Sequence, residues 1–392
     1  MFKKYLSRIT VLVFVCLLFG FAAAFLLVPD NSFSEQENRS LRTLPKFTWE
    51  KLASGAYSEE INDYFADQFP LRDGLVGLKG LSELALRKGE NNGILLGENG
   101  QQAQRLFDPS LLEGGNATDL DAFDPAHIRA AVEGINRVSD SLDIPFSVLL
   151  TGRAVDVAAS AFAYPTDISD SLQALVKENL REGVDYVETI PRLREKYDAG
   201  EYVYYKTDHH WTTAGAYYAY VEVMRSFGME GEILPPEAFT KEVVSTDFYG
   251  TAWSAGGMKF VAPDSMEFWL CGSEDEFEVV ADGKEIGGLY NRDYLAKKDK
   301  YSAFLDGTHD VVTVTRRTGE ERQTLLLLKD SFANALAPFL AQHFDLVLLN
   351  LSSARTDHTN VTAAAEKYQA DRVLLVYTLE NVVTADKLQA LR

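Results

Sequence analysis

The residues most able to do chemistry are Asp208, His209 and His210, which follow one another in a chain that has six histidines in all. A serine hydroxyl is a weak nucleophile and needs a base, usually a histidine, that is itself oriented by a carboxylate. Asp208 and His210 supply this pair if the backbone turns between them. Because Thr207 and Thr212 add further hydrogen-bonding groups, the segment is more polar than a core segment tolerates unpaired. The pattern therefore predicts a base and its orienting carboxylate.

The matching nucleophile is Ser331, which stands between two apolar segments. Residues 325–328 are four leucines, typical of a buried strand, and residues 332–344 favour a helix. Ser331 would then occupy the turn at the end of the strand, where reactive groups of an open parallel sheet collect. Its own N–H, at the start of the helix, would help to bind a developing oxyanion. The alternative is a simple helix cap, because serine is among the commonest capping residues.

The elements that must position these residues alternate along the chain between apolar strands and amphipathic helices. We predict strands at residues 144–153, 184–191, 325–328, 346–351 and 373–377. We predict helices at residues 124–142, 171–180, 332–344 and 361–370. Such uniform apolar strands between helices indicate a mainly parallel sheet with helices on both faces. Residues 228–324 break this rhythm with glycines, aromatic residues and short alternating runs, so we predict a β-rich insertion there.

The first thirty residues differ in character from the remainder of the chain. Basic residues at positions 3, 4 and 8 precede an uncharged apolar run at 9–28, and twenty apolar residues suffice to cross a bilayer core of about 30 Å. We predict an uncleaved membrane anchor at 1–29, a linker at 30–50 and a single large domain at 51–392. Small residues at 20–24 leave a cleaved signal peptide open. The basic flank places the body outside the cytoplasm.

Composition excludes some partners and some forms of stabilisation. The chain has 38 basic and 58 acidic residues, and its formal net charge of -20 would repel a nucleic-acid backbone. Cys16 lies in the apolar run and Cys271 in the body, so the exported part forms no internal disulfide. The absence of disulfides fits a bacterial cell-surface protein better than a eukaryotic secreted one.

Several motifs together resemble those of a known family. The segment TDHHWTT around Asp208 resembles the signature of the bacterial DHHW family, which is similar to the alginate O-acetyltransferases of AlgJ and AlgX type in the SGNH hydrolase superfamily. The other landmarks are ENRSLRTLP near Glu37, DQFPLRD near Asp67, ILLGENG near Ile94, FYGTAWS near Phe248 and KDSFAN near Lys329. Their order along most of the exported chain makes the resemblance specific.

The resemblance implies a fold and a set of catalytic residues. It implies an SGNH-hydrolase-like, flavodoxin-like α/β fold with Ser331 as nucleophile, His210 as general base and Asp208 as the orienting carboxylate. In ordinary SGNH enzymes the serine comes first, whereas here the Asp/His pair precedes it. This circularly permuted order is also that of the alginate acetyltransferases. The superfamily's Gly-Asp-Ser is replaced here by Lys329-Asp330-Ser331.

Five further residues are candidates for the oxyanion hole or for substrate contact. Asn334, one helical turn after the serine, and Asn381, after the last strand, are candidate oxyanion donors. Arg153 either contacts substrate or lies at the surface. We expect His209 to point away from the serine, where it supports the loop or binds substrate. Trp211 forms either a wall of the cleft or part of the core.

The function that these observations predict is an extracytoplasmic serine esterase or O-acetyltransferase. It would act on hydroxyls of a cell-surface polysaccharide or exopolysaccharide through an acyl intermediate on Ser331, with no cofactor and no metal. Hydrolysis and transfer share the first half-reaction, so the sequence leaves both open. The related acetylation systems imply that a multi-span membrane partner supplies the acyl donor.

A noncatalytic polysaccharide-binding scaffold of the same fold is the main alternative. Such a protein would hold sugar on aromatic residues such as Trp211, Tyr249 and Trp253. An unreactive Ser331 in a protein that still binds sugar would identify this alternative.

A metal-dependent phosphoesterase is the other alternative, because Asp-His-His also occurs in a family of that kind. Those enzymes need further aspartate ligands at strand ends. The available pairs are His309 with Asp310 and Asp357 with His358, and isolated pairs of this kind are usually surface polar residues.

Overall fold

The computed structural model describes residues 2–34, 39–105, 124–162, 168–317, 319, 321–353 and 355–392. Glu37 and part of the predicted linker, residues 35–38, lie outside these described residues. The chain divides into two compact units, one of residues 1–88 with 257–259 and one of residues 89–256 with 260–392.

The secondary structure of the described residues is mixed. The helices are α1 (Phe2–Leu27), α2 (Trp49–Ser54), α3 (Ala56–Asp67), α4 (Arg72–Ala85), α5 (Pro125–Asp140), α6 (Ala154–Val157), α7 (Ile168–Asn179), α8 (Ile190–Asp198), α9 (Thr213–Ser226), α10 (Thr251–Gly256), α11 (Ala333–Leu340), α12 (Val361–Tyr368) and α13 (Leu379–Thr384). The strands are β1 (Phe33–Ser34), β2 (Arg39–Ser40), β3 (Glu90–Asn91), β4 (Ile94–Leu96), β5 (Gln102–Gln104), β6 (Phe146–Thr151), β7 (Val184–Tyr186), β8 (Thr240–Phe248), β9 (Asp264–Leu270), β10 (Phe277–Ala281), β11 (Lys284–Ile286), β12 (Val311–Arg316), β13 (Thr324–Lys329), β14 (Asp345–Asn350) and β15 (Arg372–Thr378).

The smaller unit contains α1 to α4. Within α1, residues 8–27 form a 20-residue stretch of mean hydropathy 2.8, long and apolar enough to cross a membrane. A signal sequence near the N-terminus would pass the same test of length and composition. In this unit the buried Asp67 carboxylate accepts hydrogen bonds from the Arg39 guanidinium at 3.0 Å and from the Arg42 N–H at 2.8 Å. The hydrogen bond from Arg39 lowers the pKa of Asp67, so the carboxylate joins two of the sequence landmarks as an ion.

The larger unit is built on an eight-stranded sheet in the order β11-β10-β12-β14-β13-β15-β6-β7. The five strands from β14 to β7 in this order are parallel. The leucines of β13, residues 325–328, are fully buried, as expected for a strand in the middle of a parallel sheet. Helix α5 begins as the sequence predicts, with Asp124 accepting a hydrogen bond from the Ala126 N–H at 2.9 Å. The predicted α/β fold with a mainly parallel sheet is therefore confirmed.

The insertion contributes strands in two different places. Strands β8 and β9 pair with each other in an antiparallel ladder with irregular register. Strands β10, β11 and β12 instead extend the main sheet, because β12 pairs antiparallel with β14 and β10 pairs antiparallel with β12. Part of the β-rich segment is thus continuous with the parallel core.

The carboxyl ends of three parallel strands meet at one edge of the sheet. Ser331 follows β13, Arg153 follows β6 and Asn381 lies in α13, directly after β15. Because β13, β15 and β6 are adjacent and parallel, their ends bring residues from distant parts of the sequence together. This edge is where a site is expected in an open sheet of this kind.

Candidate functional site

The turn that carries Asp208 and His210 is closed by the backbone on both sides. Residues 204 and 211 form an isolated antiparallel bridge, and the Tyr205 N–H donates to the His210 carbonyl at 3.2 Å. The Asp264 carboxylate accepts the Lys206 N–H at 2.9 Å and the Thr207 N–H at 2.8 Å. The backbone therefore reverses between Asp208 and His210, as their proposed pairing requires.

The turn that carries Ser331 is held by the preceding carboxylate. Asp330 Oδ1 accepts the Phe332 N–H at 3.1 Å, and Asp330 Oδ2 accepts the Thr378 N–H at 2.7 Å and the Asn381 side-chain amide at 3.0 Å. Burial raises the pKa of Asp330 against these hydrogen bonds, which favour the ion. Asp330 thus joins the turn after β13 to the turn after β15 and fixes the serine between them.

The structure brings Asp208, His210 and Ser331 into one hydrogen-bonded relay. His210 Nδ1 lies 2.6 Å from Asp208 Oδ1, and His210 Nε2 lies 2.7 Å from Ser331 Oγ. Burial would raise the pKa of Asp208, but the charges of the His209 and His210 imidazoles and the hydrogen bonds from His210 and the Thr251 N–H outweigh burial and lower it. Because an ionised carboxylate only accepts hydrogen bonds, His210 Nδ1 is the donor, and in the neutral imidazole Nε2 then accepts from the serine hydroxyl.

Asp208 has a second set of partners in the turn before α10. Its Oδ2 accepts the Thr251 N–H at 2.8 Å and the Thr251 hydroxyl at 3.1 Å. A Cβ added at Gly250 would lie 2.3 Å from both the Cβ and the Oδ2 of Asp208, so only glycine allows this approach. The FYGTAWS landmark therefore positions the carboxylate, a role that the sequence reasoning did not assign to it.

An aromatic side chain from the insertion packs flat on the base. The rings of Tyr301 and His210 are 3.7 Å apart between centroids and inclined by 7°. Phe332 packs against the same imidazole at 4.8 Å. The imidazole is thus confined between neighbouring rings and held at both nitrogens. No motif in the sequence marked Tyr301, because it lies in an irregular segment far from both catalytic turns.

A cavity of about 330 Å³ opens beside the serine. Its lining is mixed, with apolar side chains from β4, β5 and α10 and polar groups from the strand ends. The lining residues include Ile94, Ala103, Gln104, Arg153, His209, Thr251, Ser331, Phe332, Glu380 and Asn381. Ser331 is therefore accessible to a ligand of moderate size.

His209 lies on this same cavity, so the prediction that it points away from the serine is wrong. Its ring contacts that of His210 at 3.8 Å, and its side chain is 41% exposed. His209 Nδ1 lies 2.6 Å from Thr251 Oγ1. Partial burial and the charge of the adjacent His210 lower the pKa of His209 to about 4, so the ring is neutral near pH 7.

Two of the predicted substrate or oxyanion residues do not reach the cavity. Asn334 is buried, with its carbonyl oxygen 2.5 Å from the Lys329 ammonium and its amide nitrogen donating to the Gly307 carbonyl at 3.1 Å. Trp211 is 0% exposed, and its indole N–H donates to the Phe332 carbonyl at 3.2 Å. Asn334 is therefore not placed as an oxyanion donor, and Trp211 takes the core position that the sequence left open. Both side chains brace the nucleophile turn from the core.

Arg153 and Asn381 do line the cavity. Arg153 is buried rather than at the surface, and its guanidinium makes an ion pair with Asp156 at 3.1 Å and donates to the Gln104 carbonyl at 3.2 Å. The Asn381 amide nitrogen uses one hydrogen for Asp330 and has a second. Asn381 is therefore placed beside the serine with a hydrogen-bond donor to spare.

One cluster in the described part of the chain could hold a metal ion by its geometry. Its members are Asp208, His209 and His210, whose possible ligand atoms all lie within 4.8 Å of one another. Both oxygens of Asp208 are already occupied by hydrogen bonds from His210 and Thr251. His309 bridges Asp282 and Asp306 at 3.1 Å on each side, away from this cluster.

The other residues weighed for metal binding or sugar binding serve local structure. Asp310 accepts the Ser353 hydroxyl at 2.7 Å. Asp357 accepts the Thr359 hydroxyl at 2.7 Å. Of the aromatic residues, Tyr249 and Trp253 pack against each other at 4.6 Å.

The fold and the relay define an α/β protein with a serine-histidine-aspartate arrangement at the carboxyl edge of a parallel sheet. Residues 172–350 match the model of the DHHW protein family, the family that the motifs of this chain resemble. A comparison with curated proteins found no match.

Solved structures of several bacterial proteins are similar to this chain, and those with a TM-score above 0.5 share its fold. A DHHW family protein from Eubacterium siraeum is 16% identical, with 74% of this chain and 95% of that chain covered and a TM-score of 0.55. PatB1 of Bacillus cereus, solved with a sulfonyl adduct, is 19% identical, with coverages of 76% and 98% and a TM-score of 0.61. The O-acetyltransferase domain of Pseudomonas putida AlgJ is 12% identical, with coverages of 74% and 92% and a TM-score of 0.44.

Proposed function

We propose that this protein is an extracytoplasmic serine O-acetyltransferase, with ester hydrolysis as its reaction with water, that modifies hydroxyls of a cell-surface polysaccharide. The observation that carries the proposal is the relay in which His210 lies 2.6 Å from Asp208 and 2.7 Å from Ser331. A neutral imidazole that donates to a carboxylate and accepts from a serine hydroxyl is poised to act as general base.

The proposed reaction has two matching halves. Ser331 Oγ attacks the carbonyl carbon of the donor ester while its proton passes to His210 Nε2, and the leaving group then takes that proton as its bond to the acyl carbon breaks. In the second half, an acceptor hydroxyl gives its proton to His210 Nε2 and attacks the acyl-serine. The bond from Ser331 Oγ to the acyl carbon then breaks, and Ser331 recovers its proton from His210.

Two donors beside Ser331 suit the negative charge that develops on the acyl oxygen. One is the Ser331 N–H, which lies at the start of α11 and is used in none of the hydrogen bonds of the described residues. The other is the second hydrogen of the Asn381 side-chain amide. Donors fixed in this way before the reaction typically contribute about 10²-fold or more in rate each.

The similarity to PatB1 supports this proposal. That protein was solved with a sulfonyl adduct. Sulfonyl halides react with serine hydroxyls that an adjacent base has activated, which is the arrangement that Ser331 and His210 form here.

The location and the partners belong to the same proposal. Helix α1 would anchor the chain in the cell membrane with the larger unit outside, in a bacterial envelope. The acceptor would be a polysaccharide, and a multi-span membrane protein would supply the acyl group. The net charge of -20 disfavours nucleic acid as a partner.

The test is turnover of a chromogenic acetate ester by the full chain in detergent. We expect Ser331→Ala and His210→Ala to lose roughly 10³-fold or more in kcat, because each removes one member of the relay. Ser273→Ala is the matched control, since its hydroxyl makes none of the hydrogen bonds found among the described residues. Circular dichroism checks that each variant is folded.

A sulfonyl fluoride provides the second readout. We expect one adduct, which peptide mass spectrometry places on Ser331 and which is absent from His210→Ala. Turnover that survives in Ser331→Ala, or an adduct on another residue, would overturn the proposed site.

A further inference from the structure

The hydrogen bonds around Thr251 fix the tautomer of His209. The Thr251 hydroxyl has one hydrogen, and the ionised Asp208 carboxylate at 3.1 Å can only accept it. If the hydroxyl donated to His209 Nδ1 at 2.6 Å instead, its oxygen would face the carboxylate oxygen at 3.1 Å with no hydrogen between them, so the geometry favours donation from His209 Nδ1 to the hydroxyl. A neutral imidazole carries one N–H, so the hydrogen is on Nδ1 and Nε2 has a free lone pair.

The Nε2 atom of His209 is available to a ligand. It has no hydrogen-bond partner among the described residues and is not among their buried unpaired atoms. The imidazole is an element of the cavity wall that also contains Ser331. The cavity therefore contains a neutral hydrogen-bond acceptor close to the nucleophile, in addition to the base itself.

Glu380 adds a second acceptor to the same cavity. It lies in the first turn of α13, and its carboxylate is in no ion pair within the described part of the chain. It is near enough to His209 for its charge to act on the imidazole. The cavity's guanidinium, Arg153, is already paired with Asp156 at 3.1 Å, so no free cation of the lining offsets Glu380.

We propose that His209 Nε2 and the Glu380 carboxylate form the acceptor subsite, and that it takes a hydroxyl-rich compound that is neutral or amine-bearing and rejects polyanions. Two hydrogen-bond acceptors require two donors on the ligand, which vicinal hydroxyls or a hydroxyl beside an ammonium supply. An unpaired carboxylate in the cavity repels a uronate or a phosphate. This inference rests on the proposed function and names the class of acceptor for it.

The subsite has a defined place in the second half-reaction. Hydrogen bonds to His209 and Glu380 hold the acceptor so that one hydroxyl faces the acyl-serine. His210 takes that hydroxyl's proton, and the acyl group leaves Ser331 for the acceptor oxygen. A water molecule has two hydrogens, so once one is directed to His210 it cannot donate to both His209 and Glu380. The subsite therefore favours transfer over hydrolysis.

Two substitutions of His209 separate its two nitrogens. His209→Asn places an amide near the Nδ1 position and keeps the hydrogen bond to Thr251 but removes the acceptor in the cavity. His209→Gln reaches the Nε2 position and restores a carbonyl acceptor there but loses the contact with Thr251. A role confined to the loop predicts that Gln is the more damaging change, whereas the subsite predicts that Asn is.

The first experiment uses the full chain in detergent, an acetate ester as donor, and three acceptor probes: a neutral cello-oligosaccharide, a chitosan oligosaccharide and an oligogalacturonate. Mass spectrometry measures O-acetylated acceptor, and released acetate measures hydrolysis. We expect wild-type transfer to the first two probes only. We expect the transfer-to-hydrolysis ratio to fall about tenfold in His209→Asn and less than threefold in His209→Gln, as one lost hydrogen bond implies.

Neutralising the carboxylate tests the charge selection. We expect Glu380→Gln to accept the oligogalacturonate at least fivefold better than wild type does. Glu178→Gln is the matched control, because Glu178 is exposed on α7 and outside the cavity.

A binding measurement keeps this inference separate from the proposed function. Calorimetry on Ser331→Ala needs no turnover, and we expect His209→Asn in that background to raise the Kd for the neutral probe about tenfold. If wild type turns over no ester but His209→Asn still raises the Kd in that background, the proposed acetyltransferase activity is wrong and the subsite stands. Two results would overturn the subsite. One is the same Kd in that background whether His209 is unchanged or replaced by Asn or Gln. The other is acetyl transfer to the polyuronate by wild type.

Discussion

Stacking of Tyr301 on His210 is the contact at the residue scale that most directly fixes the proposed base. The rings are nearly parallel and 3.7 Å apart, while Asp208 holds one nitrogen of the imidazole. The tyrosine hydroxyl lies 3.4 Å from the Ser331 carbonyl, a long hydrogen bond of little strength. The ring rather than the hydroxyl is therefore the part of Tyr301 that matters.

We accordingly expect Tyr301→Leu to lower kcat/KM for an acetate ester about tenfold, because aromatic stacking contributes roughly 0.5–1.5 kcal/mol and also holds the imidazole in place. Tyr301→Phe keeps the ring and should remain within about twofold of wild type. Steady-state kinetics of the two variants measures the difference. If Tyr301→Phe loses more kcat/KM than Tyr301→Leu does, the hydroxyl rather than the ring is the part that matters.

Lys329 is a second residue whose environment makes a measurable prediction. Its ammonium is buried behind Ser331 and lies 2.5 Å from the Asn334 carbonyl oxygen. Burial lowers its pKa from 10.5 to about 8, although the charge of Asp330 opposes the change. Between about pH 8 and 10.5 the unfolded chain therefore binds more protons at this residue than the folded chain does.

The sign of the effect follows from this difference in proton binding. The contribution of Lys329 to the free energy of unfolding rises with pH across this window, by about 3 kcal/mol at most. In urea titrations between pH 8 and 10, the unfolding free energy of wild type should rise relative to that of Lys329→Met. Parallel curves for the two proteins would mean that Lys329 has the same pKa in the folded and unfolded chains, as expected for a lysine that stays solvated and charged.

How much of the site the sequence predicts depends on whether a role follows from residue type or from geometry. Asp208, His210 and Ser331 are recognisable because base, carboxylate and nucleophile are chemically distinct types. The direction in which His209 points cannot be recognised from its residue type, because it depends on which side of the turn faces the sheet edge. Asn334 suits an oxyanion hole by type, but its amide nitrogen donates to the Gly307 carbonyl in the core.

At the scale of elements, the turn that leads into α10 sets the position of the carboxylate. Thr251 donates both its N–H and its hydroxyl to Asp208, and Gly250 packs against the same side chain. The turn and the Asp208 segment are therefore one unit, although about forty residues separate them in the chain.

Gly250→Ala tests this coupling. A Cβ at 2.3 Å from Asp208 must displace the carboxylate or the turn, so we expect ester turnover to fall at least tenfold and the unfolding free energy to fall by about 1–3 kcal/mol. Gly231→Ala is the control, because a Cβ there meets nothing within 4 Å. Turnover and thermal unfolding of both variants provide the comparison. Unchanged turnover in Gly250→Ala would show that the turn yields without moving Asp208.

The sequence predicts individual elements better than it predicts their partners. The four leucines at 325–328 indicate a buried strand, and β13 spans Thr324–Lys329. Strand β12 alternates in burial and falls within the predicted β-rich segment, yet its pattern does not say which strand it pairs with. Its antiparallel pairing with β14 joins the insertion to the core, and only the fold reveals that. Long-range pairing is set by the packing of many residues and leaves little trace in local periodicity.

At the scale of the whole molecule, the chain combines an apolar N-terminal helix with a body of strong negative charge. The formal charge is -20, while the helix begins with a basic segment and contains a 20-residue apolar stretch of mean hydropathy 2.8. Basic residues beside a first span are retained on the cytoplasmic side. The acidic body would then face outward, where a cytoplasmic anionic leaflet does not repel it.

Reversal of the N-terminal charge tests this topology. With Lys3, Lys4 and Arg8 replaced by Glu, the apolar stretch is unchanged but the orientation signal is lost, so we expect the body to remain inside or the chain to insert poorly. Protease added to spheroplasts should digest the wild-type body and a Lys3→Arg, Lys4→Arg control, and should leave most of the Glu variant protected. Protection of the wild-type body would place it in the cytoplasm and contradict the proposed location. Release of the wild-type body into the soluble fraction, with α1 removed, would instead identify α1 as a cleaved signal, because an intact span of this length keeps a protein in the membrane.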